Sequence, residues 1–448
     1  MLKQPIFSIT LYNTLGRRQQ PLGNSDQITM YVCGITPYDY AHLGHGRCYV
    51  TFDLLYRLLT FLGYKVTYCR NFTDIDDKLL NRADKELNDP SAYLILANKY
   101  ISSFHEDMEK LACKAPDFEP RVTTHIVPII SFIEGLIAKG KAYATEVGDV
   151  YFRISAFEGY GKLSQRTKDE LKAGARVAVR ADKEDPLDFA LWKSCDEGPG
   201  WESPWGFGRP GWHIECSAMS SEYLGETIDI HGGGMDLIFP HHENEIAQSE
   251  GLHNKPFARF WVHNAFVRVN EEKMSKSLGN FLTLRDAYTT FSPMVLRYYY
   301  LIHHYRNPLD FSPEDIESAR KSYQKLCLAL ENIDPASEDE IRATSYPLIN
   351  DIFTALCDDL NVAKAMGRIF ESIKDMGPNE LALLKGLLMY VLGLALEPEK
   401  KETVVITQEI EELLQARQEA RDRKDWTAAD QLRARLQELG YDIQDKKS

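Results

Sequence analysis

The sequence predicts an α/β protein: a doubly wound parallel sheet split by an inserted module, then an α-helical bundle and a small C-terminal unit. Three observations predict it. Strand-like and helix-like apolar periods alternate from Ile28 and again from Phe189. A hairpin pattern and a polar, basic stretch separate those two runs. From Ser312 onward nearly every periodic segment is helical.

Ile28–Gly34 is β-branched and aromatic and reads as a buried strand. After the loop Ile35–Ala41, apolar residues recur at helical spacing from Tyr49 to Leu62, with Gly63 as a stop. Lys65–Phe72 reads as a second strand, and Asp74 opens another helix. That order implies parallel strands joined by crossover helices, a Rossmann-type arrangement. Helical patterns follow at Ser91–Leu111 and Ile126–Lys139. Tyr143–Ile154 then alternates around Gly148–Asp149 as a hairpin does. Gly159–Glu184 is polar and basic, the expected exposed excursion of an inserted module. A strand at Phe189–Trp192 resumes regular structure, and a Gly/Pro/Trp-rich loop, Gly198–Gly211, precedes a helix from near Trp212. Thr227–Ile230 is a strand running into Gly232, Gly233 and Gly234. A helix from about Pro240 and a strand over Phe260–Val269 complete the second run. Glu397–Thr403 reads as a linker to two last helices, Thr407–Lys424 and Trp426–Leu439, the latter capped by Gly440. The expected divisions are 1–124 and 186–270 for the halves of the split sheet domain and 125–185 for the insert. A loop-bearing region at 271–312, a helical bundle at 313–400 and a C-terminal unit at 401–448 follow.

A chain of 448 residues is long enough for two to four domains. The net charge of −14 argues against a protein that grips nucleic acid indiscriminately. Basic residues do gather at Arg417, Arg421, Arg423, Lys424, Arg433 and Arg435, a pattern that a solvated helix face also produces. Leu381–Leu396 is interrupted by Lys385 and is too short to cross a bilayer. The first twenty residues lack the pattern of a signal peptide, so a cytoplasmic protein without membrane association is expected. The eight cysteines are dispersed, unlike a small disulfide framework.

Three constellations carry chemistry. His42-Leu43-Gly44-His45-Gly46 lies between the first strand and first helix. A helix N-terminus suits phosphate, glycines let a ligand approach the backbone, and imidazoles can donate to phosphoryl oxygens. Lys273-Met274-Ser275-Lys276-Ser277 follows the last sheet strand, and its two lysines can clamp a polyphosphate. The third set is Cys33 at the end of the first strand, Cys216 early on a helix, and His241 with Glu245 four apart on another. Two thiolates, an imidazole and a carboxylate can fill a tetrahedral zinc shell. The same residues could also be unrelated core positions, and His242 competes with His241.

The pair of phosphate motifs resembles the class I aminoacyl-tRNA synthetases. Cys33-Gly34-Ile35-Thr36, Arg70–Lys78, Gly211–Cys216 and His231–Glu245 are similar to the cysteinyl-tRNA synthetases, over nearly the whole chain. The resemblance implies one zinc ion on Cys33, Cys216, His241 and Glu245. It implies a cysteine pocket lined by Thr73, Trp212 and His231, and adenosine contacts over Gly233–Asp236, including Asp236. ATP with magnesium would bind at His42, Gly44, His45, Asp236, Lys273 and Lys276, of which His42, His45, Lys273 and Lys276 would be catalytic. The partners implied are tRNA(Cys) and L-cysteine, with the chain a monomer. The end of the chain departs from the family, since the Gly/Thr/Trp-containing tail common there is not seen. Two rivals share these features: a cysteine ligase of mycothiol biosynthesis, and a catalytically dead relative that only holds tRNA. The Arg-rich helical C-terminal portion favours tRNA over an amino sugar, and the intact His and Lys motifs favour catalysis.

Overall fold

The computed structural model describes residues 7–23, 25–166, 182–269, 272–273, 282–398 and 408–438. A ribbon of β1 (Thr10–Asn13) and β2 (Arg18–Pro21), which the periodic pattern did not signal, precedes β3 (Gln27–Ile35). Next come α1 (Leu43–Phe61), β4 (Lys65–Phe72), α2 (Asp77–Leu87), α3 (Tyr93–Lys110) and α4 (Ile126–Ala138). Helix α1 begins well before the expected Tyr49. Its first turn has little apolar content beyond the buried Leu43, and His42 and His45 cap it. Helix α2 begins at Asp77 and not at Asp74, because Asp76 caps it by accepting the Lys78 N–H at 2.8 Å.

The hairpin is present as β5 (Ala142–Ala144) and β6 (Val150–Phe152). The next strands are β7 (Phe189–Ser194) and β8 (Gly208–Pro210). The sequence expects Phe189 to resume the parallel sheet. Both strands instead join the hairpin in an antiparallel sheet of order β5-β6-β7-β8, with Trp192 buried. Strand pairing depends on which surfaces meet, which local periodicity does not encode. Of the expected excursion, only 159–166 and 182–184 are described. There Leu163 is buried, and the backbone N–H of Ser164 donates to the Glu243 carboxylate at 2.8 Å. The rest lies outside the described residues.

After α5 (Trp212–Leu224) come β9 (Ile228–Gly234), α6 (Glu243–His253) and β10 (Ala258–Asn264). The three glycines therefore end the strand and do not follow it. The central sheet has the order β10-β9-β3-β4 with every pairing parallel, as the sequence implied. Ile28, Met30, Tyr31, Val32 and Cys33 of β3 are all buried, as expected for a strand covered on both faces. The single strand expected over Phe260–Val269 is two. β11 (Val267–Val269) leaves the central sheet and pairs with β12 (Glu272–Lys273) and, after α7 (Leu284–Tyr288) and α8 (Pro293–Ile302), with β13 (Leu309–Phe311). At the break, the buried Arg47 guanidinium donates to the carbonyls of Ala265 (3.1 Å) and Phe266 (2.9 Å), which replaces the ladder bonds lost there.

Helices then dominate, at Pro313–Ala329, Pro347–Cys357, Val362–Ser372 and Pro378–Tyr390. The chain divides into two compact units, Met1–Glu397 and Pro398–Ser448. Within the second, Gln408–Asp422 and Trp426–Glu438 form the expected helix pair, while Gly440 lies outside the described residues. No described helix is long and apolar enough to cross a membrane.

A buried ion cluster ties α1 to α8. The Asp53 carboxylate accepts from Arg57 Nε (2.7 Å), the Lys114 N–H (2.7 Å) and Arg297 Nη2. Arg297 also donates to the carbonyls of Leu111 (2.7 Å) and Leu392 (2.8 Å). Removing one partner of such a pair strands the other charge. Asp53→Ala is therefore expected to lower unfolding free energy by about 3–5 kcal/mol, read as a shift of the urea midpoint.

Candidate active site and metal centre

The carboxyl ends of β3, β9 and β10 open on one cavity of about 360 Å³. Its lining brings together Cys33, His42, Gly44, His45, Trp212 and Asp236 from four separate stretches of sequence. The crevice at a switch point between strands is where open α/β sheets bind ligands.

His42 is the N-cap of α1, and His45 is its third residue. Each ring accepts the other's backbone N–H through Nδ1, at 3.2 Å to His42 and 3.3 Å to His45. The rings stack with centroids 3.6 Å apart. With Nδ1 accepting, the neutral tautomer carries its proton on Nε2, an N–H donor for an anion. Burial, and then the neighbouring His42, hold His45 well below the usual imidazole range, so it acts as a neutral donor at pH 7. Gly44 is required because a Cβ there would lie 2.9 Å from the His42 ring. Gly46 behaves differently from the sequence expectation. A Cβ there would meet the Leu284 side chain at 2.8 Å, so its smallness serves packing and not ligand approach.

Against the floor of the sheet lies a second constellation. Cys33, Cys216, His241 and Glu245 place their ligand atoms within 4.8 Å of one another, all buried, in an arrangement that could hold a metal ion. His241 Nε2 is 3.0 Å from Glu245 Oε1, and Cys33 Sγ is 3.6 Å from the same oxygen. Burial pushes the Cys33 thiol up, whereas the hydrogen bond from Cys33 draws the Cys216 thiol down to about 6. Burial opposes charge on His241 and Glu245, but each favours the other's ionised form. His241 rises to about 10, and Glu245, which also faces His231, falls to about 2. His241 Nδ1 lies 2.8 Å from Nδ1 of His213, which burial keeps neutral. The cluster thus balances its anions with a proton on His241, in the place a cation would take.

A competing set, Cys33, His231, His242 and Glu245, meets the same distance condition. In it His242 Nε2 lies 3.3 Å from Cys33 Sγ, its outer nitrogen is held by His263 Nε2 at 2.8 Å just as that of His241 is held by His213, and His231 Nε2 lies 2.8 Å from Glu245 Oε2. The second set lacks Cys216, the thiol drawn down to about 6.

Not every expected residue faces the cavity. His231 is fully buried against Trp261, with ring centroids 4.4 Å apart, and does not line it. Thr73 is also absent from the lining, and its hydroxyl donates to Glu215 Oε2 at 3.1 Å. Trp212 does line it and packs on His241, centroids 4.5 Å apart. Lys273 is described only through its backbone in β12, and Lys276 lies outside the described residues. Sequence reasoning missed Tyr38, Lys78 and Asn264 in the lining, and Arg47 behind it. Lys78 stood within the quoted Arg70–Lys78 stretch, so a signal existed. Arg47 had none, because its partners are carbonyls.

A methionyl-tRNA synthetase of Mycobacterium tuberculosis in complex with methionyl-adenylate aligns with a TM-score of 0.58 at 15% identity, over 82% of this chain and 88% of that one. The LeuRS of Agrobacterium radiobacter K84, in a ternary complex with tRNA, aligns with a TM-score of 0.55 at 12% identity, over 82% and 83%. The model for the class I (C) tRNA synthetase catalytic domain matches residues 19–321. The protein is therefore a class I aminoacyl-tRNA synthetase. The cysteinyl-tRNA ligase anticodon-binding domain model matches residues 403–448. The cysteine–tRNA ligases of Desulfovibrio desulfuricans (47% identical, over 97% of this chain and 98% of that protein) and Persephonella marina (44%, over 98% of each) match throughout. The chain belongs to the cysteine–tRNA ligase family.

The two candidate ligand sets make different demands. Metal analysis after gel filtration is expected to find one ion per chain in His242→Gln and substoichiometric metal in Cys216→Ser and His241→Ala. The reverse pattern would assign the ion to the second set.

Proposed function

We propose that this enzyme activates L-cysteine with ATP as cysteinyl-adenylate and transfers the cysteinyl group to tRNA(Cys), with a zinc ion on Cys33, Cys216, His241 and Glu245 selecting the amino acid. The observation that carries the reading is the convergence of two buried thiols, an imidazole and a carboxylate beside a cavity lined by His42, Gly44 and His45. A tetrahedral zinc shell has ligand–ligand edges of roughly 3.3–3.8 Å. The 3.0 and 3.6 Å separations in the cluster are close to that range. When bound, zinc supplies a soft Lewis acid that favours a thiolate over a hydroxyl or a methyl group. Shape alone separates such analogues by only about 10–200-fold.

The chain's own residues then serve the phosphoryl chemistry. Trp212 gives the amino acid an apolar wall above His241, which suits a small side chain and excludes water. The substrate carboxylate attacks the ATP α-phosphorus in line, the bond from that phosphorus to the α,β-bridging oxygen breaks, and pyrophosphate leaves; magnesium, when bound, would offset its charge. The Nε2–H groups of His42 and His45 donate to phosphoryl oxygens as charge builds, and the N-terminus of α1 adds its dipole. Asp236 reaches the cavity where a ribose would lie, and Lys273 and Lys276 are assigned to the departing pyrophosphate. The terminal ribose hydroxyl of tRNA then attacks the adenylate carbonyl and releases AMP. The anticodon-domain match at 403–448 supports tRNA as acceptor over an amino sugar.

Cysteine-dependent ATP–pyrophosphate exchange and tRNA charging test the reading together. Exchange with cysteine and none with serine or alanine is expected. Charging of an amino sugar and not tRNA would replace the acceptor. Cys216→Ser should lose zinc and exchange together, whereas lost exchange with full zinc would remove Cys216 from the shell. His45→Ala should lower the exchange kcat by about 10²–10³ with little change in the KM for cysteine, as loss of one oriented donor does.

A further inference from the structure

Trp212 also lines a second, smaller crevice of about 20 Å³, beside Asp76, Asp77, Lys193 and Arg209. The crevice shares Trp212 with the catalytic cavity and contains none of His42, Gly44 and His45. At its edge is an ion triad. One oxygen of the Asp77 carboxylate accepts from Lys193 Nζ at 3.1 Å, and the other accepts from Arg209 Nη2 at 3.0 Å. Asp77 belongs to the first turn of α2, whereas the cations come from β7 and β8 of the inserted sheet. About half of the Asp77 and Lys193 side chains is exposed, and 22% of Arg209. Water-accessible pairs of this kind contribute little to stability, so exchanging one anion for another costs little.

We propose, resting on the tRNA-charging reading above, that Lys193 and Arg209 form a phosphodiester subsite for the single-stranded 3′ end of tRNA, and that Asp77 occupies it until tRNA displaces it. A carboxylate bridging an ammonium and a guanidinium presents two oxygens, as a phosphodiester does with its non-bridging pair. A nucleotide whose ribose enters the catalytic cavity leaves the preceding phosphates outside it, and the crevice adjoins that cavity through Trp212. The Trp212 indole, 41% exposed, stands between the two and offers a face to a base. The signature histidines already account for the phosphates of ATP, which leaves polynucleotide as the anion for the triad.

Binding and charging of tRNA, measured beside pyrophosphate exchange on the full chain, test this. Lys193→Ala and Arg209→Ala are expected to raise the tRNA KM about 5–10-fold and to flatten the salt dependence of tRNA binding by about 0.7 per lost contact. Exchange and the ATP KM should stay within about twofold. Asp77→Asn removes the competing anion and is expected to tighten tRNA binding, opposite in sign to the cation variants. A purely structural latch would make all three variants weaken together, and that result overturns the proposal. A raised ATP KM in the cation variants would assign the anion to ATP and overturn it as well. Wild-type protein that exchanges pyrophosphate but charges no tRNA would defeat the proposed function. Wild-type charging indifferent to all three substitutions would defeat only this subsite.

Discussion

The parallel pairing of β3 with β9 is the constraint on which the site depends. It joins the two halves of the sheet across the whole insert, with Tyr31 opposite His231 and Val32 opposite Gly232. Cys33, one residue beyond that register, therefore comes within 3.3 Å of His242, 209 positions away. Two glycines keep the strand ends close to their neighbours: a Cβ at Gly232 of β9 would fall 2.2 Å from the Phe52 ring of α1, and one at Gly34 of β3 would fall 1.5 Å from the Asn71 carbonyl oxygen on β4.

Closing the sheet buries charge. Cys33, Cys216, His241 and Glu245 all sit out of water, and an isolated carboxylate or thiolate in that position would be costly. The cluster meets this cost in layers. His241 and His231 flank the two oxygens of Glu245, His213 takes the outer nitrogen of His241, and His263 takes that of His242. Each layer fixes a ring or carboxylate orientation, so the donor atoms converge before any ion arrives.

The nucleotide side solves a different problem with the same economy. His42 and His45 cap α1 with each other's backbone N–H groups, which commits both Nδ1 atoms and leaves the Nε2–H groups as donors. Arg47, two residues further on, holds the carbonyls of Ala265 and Phe266, and these residues form the opposite wall of the cavity. One turn of helix thus sets both a phosphate-facing edge and the strand break that opens the cavity.

The α/β class, the order of strands and helices, the hairpin and the two final helices were legible because each repeats its period within a dozen residues. The residues that carry sulfur, imidazole and lysine chemistry were legible as types in dense motifs. What local period cannot express was decided in three dimensions. Phe189–Ser194 and Gly208–Pro210 pair with the hairpin and leave the parallel sheet, Phe260–Val269 splits between two sheets, and Gly46 serves packing. His241 and His242, rivals in sequence, are both brought beside Cys33 and Glu245 with their outer nitrogens held by a further histidine. Sequence by itself determined the elements and the chemical inventory, since both depend on neighbours along the chain. Tertiary structure alone decided which strands pair and which side chains converge, because those depend on surfaces brought together from positions hundreds of residues apart.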